Sequence, residues 1–232
     1  NNAQVVPLGR LLDVTEEHYQ EGMDSGPLAT LRFMKACYPY LRDGGCIIPG
    51  CGTPAGCRLG LSAAILAQLR GAGRLIVIGG PELRLDMARA LGADAVINIG
   101  TTDEATRHAQ VRELTGGRGA DITIEATGVA SAVPEGMRLT RDAGRYVVVG
   151  QYTNAGAVPF NPHLDLNQKH LDIRGCWGSD VGHVYRSLQV LARYHTQFPW
   201  AQFISERYAL SHAQQALEDV AAQRVVKALI LP

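Results

Sequence analysis

The residues best suited to chemistry here are small ones. In CIIPGCGTPAGCRLGLSAAIL (residues 46–66) a short apolar run meets a cluster of glycines, and an Ala/Leu-rich stretch follows. Unbonded backbone N–H groups at a helix N-terminus attract an anion, and glycine lets a pyrophosphate approach where a Cβ would hold it off. Two registers of that turn compete. Gly50-Cys-Gly52-Thr-Pro-Ala55 reads as GxGxxA directly after the apolar run. The other ends at Gly60, with Ala55 and Cys57 in place of its first two glycines. Further along, RLIVIGGPELR puts Gly79 and Gly80 at the tip of a second apolar run, with Glu82 and Arg84 just beyond. A carboxylate there accepts from ribose hydroxyls and repels a 2′-phosphate, favouring NAD; a guanidinium does the reverse, favouring NADP. Both side chains also suit solvated positions in a first helical turn.

Other reactive side chains form no set. The five cysteines, Cys37, Cys46, Cys51, Cys57 and Cys176, make no CxxC pair, which fits a reduced, buried group rather than disulfides or zinc. His163 and His170 stand seven apart, and His183 and His195 flank a helical stretch; solvated or capping roles suit all four. Lys+Arg and Asp+Glu both number 22, with no basic run, so neither nucleic acid nor an anionic membrane is an expected partner. The apolar runs are too short and interrupted to span a bilayer, and NNAQVVPLGR lacks the make-up of a secretory signal. A cytoplasmic protein acting on a small molecule is expected.

The elements that must carry these residues alternate. Asp13-Val-Thr-Glu16 is a capping box, and LATLRFMKACYPYL carries the apolar stripe of a core-facing helix before the CIIP strand. From residue 59 the order is LGLSAAILAQLRGAG helix, RLIVIGG strand, ELRLDMARALGA helix, DAVINI strand, TTDEATRHAQVRELTGG helix opened by Thr, and ADITIEATG strand. SAVPEGMRLTRDAG is expected as a helix, RYVVVG as a strand and HLDIRGCWGS as extended. Two helices, VYRSLQVLARYH and HAQQALEDVAAQ, and a final strand, VVKALILP, follow. Continuous Val/Ile strands separated by helices specify an α/β fold: a doubly wound, mostly parallel Rossmann-type sheet with helices on both faces.

On LGLSAAILAQLRGAGRLIVIGG, RLDMARALGADAVINI, LTGGRGADITIEATG, GRYVVVG, KHLDIRGCWGS and ALEDVAAQRVVKALILP, residues 59–232 resemble the cofactor-binding half of a zinc-type, medium-chain alcohol dehydrogenase. The resemblance implies hydride transfer between NAD or NADP and an alcohol or carbonyl substrate, in a homodimer. It places Thr127 and Gly128 along the cofactor, backbone near Val149, Gly150, Cys176 and Trp177 at the nicotinamide end, and Gly60 as the helix-packing glycine. Gly50, Gly52, Gly79, Glu82 and Arg84 complete the candidate cofactor set.

Residues 1 to about 56 resemble something else. NNAQ and the stretch from DVTEEHYQEGMDS to GGCII look like the middle of a short-chain dehydrogenase/reductase, with the catalytic Ser position at Thr53 or Gly52. Two units follow: 1–58, packed on or part of the same sheet, and 59–232, the dinucleotide-binding domain, with a seam near 56–59. Zinc-type chemistry uses a metal to stabilise an alkoxide. No Cys/His/acid set for it is legible in these residues, so no zinc is expected in this chain. Short-chain chemistry uses a Tyr-x-x-x-Lys pair, and none of Lys35, Lys169 and Lys227 has a Tyr four before it. Thr53 keeps a hydroxyl but lacks a base. The alternative to an enzyme is therefore a recombined or truncated Rossmann module that binds NAD(P).

Overall fold

The computed structural model describes residues 46–51 and 56–232, with side chains from residue 59 onward. The capping box at 13–16, the helix expected at 28–41, Gly52 and Thr53 lie outside the described residues. The elements are β1 (Cys46–Cys51), α1 (Gly56–Leu69), β2 (Arg74–Gly79), α2 (Glu82–Ala90), β3 (Ala95–Asn98), α3 (Glu104–Leu114), β4 (Ala120–Glu125) and α4 (Ala132–Leu139). After them come β5 (Thr140–Val148), a π-helical turn (Pro162–Asn167), β6 (Asp172–Gly175), α5 (Val181–Tyr194), β7 (Glu206–Ala209), α6 (Ala213–Ala221) and β8 (Ala228–Leu231).

Six strands form one parallel sheet in the order β3-β2-β1-β4-β5-β6. This is the doubly wound Rossmann order, in which the winding reverses between β1 and β4. The period of two along β2 divides its side chains between the faces. Leu75 and Val77 join Leu61, Ile65, Leu85, Ile122 and Ile124 in one buried cluster, while Ile76 and Ile78 join Ile97, Val111 and Leu139 in another. Both faces are therefore covered by helices, as the uninterrupted apolar strands require. The strand that precedes the glycine cluster takes the central place beside the reversal.

Two boundaries and one strand differ from the sequence reading. Asp103, not a threonine, caps α3, its Oδ1 accepting from the Thr106 N–H at 2.7 Å. The Thr102 hydroxyl is turned back to the Asn98 carbonyl at 2.6 Å. The helix expected over 131–144 stops at Leu139, and Thr140 already begins β5, paired with Ala120. A cation seals that stop: the half-buried Lys169 Nζ donates to the carbonyls of Met137 at 2.8 Å, Arg138 at 2.9 Å and Thr140 at 2.5 Å. The four-residue β7 was not foreseen; it pairs parallel with β8 in a small separate sheet. There the Tyr208 hydroxyl donates to buried Asp219 at 2.7 Å, and that hydrogen bond pushes the phenol up to about 12.

One glycine is set by packing. A Cβ on Gly136 of α4 would lie 2.5–2.7 Å from ring atoms of fully buried Tyr146 on β5. Gly136→Ala is expected to cost about 1.5 kcal/mol through overpacking. A urea midpoint shifted down at unchanged slope is the expected result.

Candidate functional site

In a doubly wound sheet, ligands lie beyond the carboxyl ends of the strands, at the reversal. The pairing places the candidates along that edge. Gly50 sits opposite Ile78 and Cys51 opposite Gly79, while Pro49 faces Ile124, so the end of β1 stands between the tips of β2 and β4. Gly79 closes β2, Thr127 and Gly128 follow β4, Val149 and Gly150 follow β5, and Cys176 and Trp177 follow β6. Gly60 is buried in α1, on the helix that leads away from β1. Thus candidates scattered over more than a hundred residues of sequence share one sheet edge. Gly52 and Thr53 belong to the stretch outside the described residues.

The best-defined geometry lies between the tips of β4 and β5. Glu125, the last residue of β4, is 3% exposed, and a buried carboxylate needs donors. Its Oε1 accepts from the Thr127 N–H at 2.6 Å, the Thr127 hydroxyl at 2.7 Å and the Gly128 N–H at 2.8 Å. Its Oε2 accepts from the Gly150 N–H at 3.1 Å. The Glu125 carbonyl takes the Val149 N–H at 2.9 Å and also faces that of Gly150 at 3.0 Å. Gly128 has φ +71°, in the left-handed region where glycine carries no penalty. The sequence reading named the turn and missed Glu125. The available signal was an acidic residue inside the otherwise apolar ADITIEATG run, which a buried strand tolerates only with partners.

At the β2 tip, Glu82 remains at the surface. Its Oε1 accepts from Arg89 and its Oε2 from the Asn98 side-chain amide at the end of β3, at 2.6 and 2.7 Å. Arg89 and then Asn98 lower its pKa and keep it ionised. Arg84 does not share that rim. It is 1% exposed, which corrects the expectation of a solvated first-turn residue and removes it from the surface where a 2′-phosphate would be met. Residues two apart on a helix point about 200° apart, so Arg84 falls with Leu85 and Ala88 on the buried side of α2.

At the far end, the side chains of Val149 and Cys176 belong to the core, so only their backbone faces the strand ends. The Cys176 N–H donates to the Val148 carbonyl at 3.0 Å. Trp177 is 47% exposed and its ring stands 5.2 Å from that of Tyr152, just past the tip of β5. Burial, followed by the nearby Cys176, raises the Tyr152 phenol pKa. His183 is a capping histidine: its Nδ1 accepts from the Asp180 N–H at 2.9 Å, while Asp180 Oδ1 accepts from the His183 N–H at 3.0 Å. Among the described residues, no three His, Cys, Asp or Glu side chains are grouped so as to hold a metal ion.

Strand order and edge together define a Rossmann-type protein. The sequence pattern of the zinc-binding dehydrogenase family matches residues 59–193, more than half of the chain, and the chain belongs to that family. It is 36% identical over 200 residues to 5-exo-hydroxycamphor dehydrogenase of Pseudomonas putida, covering 86% of this chain and 54% of that protein. Erythritol/L-threitol dehydrogenase of Mycolicibacterium smegmatis is 31% identical over 193 residues, covering 80% of this chain and 48% of that one. Among solved structures, an alcohol dehydrogenase of Thermotoga maritima superposes with a TM-score of 0.77 at 31% identity, covering 88% of this chain and 54% of that one. The chain thus spans about half the length of the relatives it matches. Residues 59–232 are three quarters of the chain, so a likeness over 86% takes in residues ahead of 59. No described helix is long and apolar enough to cross a membrane.

Proposed function

We propose that this chain is the dinucleotide-binding half of an NAD(P)-dependent, alcohol dehydrogenase-type oxidoreductase. The observation that carries this is the single carboxyl edge at the β1/β4 reversal, which gathers Gly50, Gly79, Glu82, Thr127, Gly128, Val149, Gly150, Cys176 and Trp177 from five of the sheet's strands. A bound nicotinamide would supply hydride acceptance or donation. The chain's own part is to bind and orient it: Gly50 at the pyrophosphate, with buried Gly60 packing the helix that leads away from β1, and the tips of β4, β5 and β6 at the nicotinamide half. The family and the relatives' names support a small alcohol, or its carbonyl product, as substrate. The chain spans about half the length of its relatives, and the proton chemistry is assigned to the other half of a full-length enzyme. A non-catalytic NAD(P)-binding module is the second reading, favoured by the half-length match.

The strand resembling the serine strand of short-chain reductases occupies the central β1 place in this reading. At the opposite edge, β6 carries Ile173, 39% exposed, and two copies would pair there as a homodimer. Light scattering that shows a monomer at high concentration would contradict that pairing.

The Glu82 carboxylate, kept ionised at the β2 tip while Arg84 is buried, favours NAD over NADP. Titrating the chain with NADH and NADPH by nicotinamide fluorescence should give about tenfold tighter binding of NADH, the effect of one like-charge contact. Equal or tighter NADPH binding overturns the NAD preference. If neither binds at millimolar levels, the function is overturned.

A further inference from the structure

We propose that Glu125 is a positioning residue for the nicotinamide half of the cofactor, an inference that rests on the dinucleotide-binding reading above. The β4–β5 ladder ends with the pair Glu125 and Val148. Beyond it, the placement of Ala126–Gly128 against Val149–Gly150 no longer follows from sheet hydrogen bonds. Glu125 takes over that task with both of its oxygen-bearing groups. Its carbonyl takes the N–H groups of Val149 and Gly150, and its carboxylate receives one donor from the β5 tip and three from the β4 turn.

A carboxylate suits this place because both of its oxygens accept and every partner donates. Gly150 completes the fit, since its missing Cβ lets the two tips meet: an added one would stand 2.5 Å from the Gly128 nitrogen and 2.7 Å from Glu125 Oε1. In Rossmann sheets the strands on this side of the reversal form the second mononucleotide-binding half. Glu125 therefore sets the floor of that half without touching the ligand. Glutamine keeps the shape and the two backbone bonds but has one acceptor oxygen, so its NH2 must face a donor and the side-chain tie between the β5 tip and the β4 turn is lost.

The test uses the 232-residue chain with two probes: NADH, and ADP, which lacks the nicotinamide half. Glu125→Gln should weaken NADH about tenfold, the loss of one charge-assisted hydrogen bond. ADP affinity should change by no more than about twofold, since its site is separate. Thr127→Val, which removes one donor to Glu125 and the acceptor of the Val129 N–H at constant shape, should weaken NADH about threefold with ADP unchanged. If Glu125→Gln does not fold, the NADH-to-ADP comparison in Thr127→Val decides. A lower melting temperature with an unchanged NADH-to-ADP ratio, or equal loss of both probes, overturns the positioning role alone. A wild-type chain that binds neither probe overturns the dinucleotide reading and this proposal with it.

Discussion

Replacing Gly150 by alanine is expected to lower stability by about 3 kcal/mol and to remove measurable NADH binding. The new Cβ would lie 2.5 Å from the Gly128 nitrogen, 2.6 Å from the Thr127 nitrogen and 2.7 Å from Glu125 Oε1. Two of those three atoms are backbone, so no side-chain rotation relieves the contact. Overpacking of this kind costs about 1–3 kcal/mol, and the upper end applies because the shift also breaks the hydrogen bonds from Gly150 and the β4 turn to a buried carboxylate. Urea denaturation measures the first effect and NADH fluorescence the second. Wild-type stability in the variant would contradict the close contact of the two tips at Gly150.

Asp172→Asn is the second large effect, expected to cost about 2 kcal/mol. Arg145 on β5 and Asp172 on β6 are directly opposed cross-strand partners, and Arg145 Nε donates to Asp172 Oδ2 at 2.7 Å. The Arg145 side chain is 6% exposed and that of Asp172 37%. Removing one partner of a fully buried pair costs about 3–5 kcal/mol; the carboxylate's contact with water brings the figure down. Asparagine keeps the size but leaves a buried guanidinium facing a neutral amide. The pH dependence gives an independent check. Arg174, and after it Arg145, hold the Asp172 carboxyl below the usual carboxylate range. The folded value is below the unfolded one of about 4, so the stabilisation is complete above that pH and is lost as pH falls through the folded value. The variant should therefore lose part of the wild-type acid sensitivity below about pH 4. An unchanged acid limb would contradict the pairing.

Much of the architecture was legible because the core imposes periodicity. The runs LIVIG and YVVV are apolar nearly throughout and ITIE alternates isoleucine with buried Thr123 and Glu125, which suits strands covered on both faces, and each came out as a parallel strand. The end of the helix after EATG was not legible, because a cation from Lys169 and the pairing of Thr140 with Ala120 fix it, and both act across the fold. Four-residue β7 has too few positions to show a period. Arg84 was a case of local geometry left unused: its spacing from Leu85 and Ala88 puts it on the core-facing side of α2, away from Glu82. Glu125 illustrates the deeper reason. A lone acid in an apolar strand signals buried partners, but one of its four donors lies 25 residues away, brought close only when β4 and β5 align.

The most direct measurement is amide NMR of the chain during titration with NADH. The expected result is saturable shifts at Gly79, Glu82, Thr127, Gly128, Gly150, Cys176 and Trp177, the strand tips of the carboxyl edge, with the edge residues of β7 and β8 unmoved. Shifts confined to other surfaces, or none at millimolar NADH, would show that this edge is not a dinucleotide site.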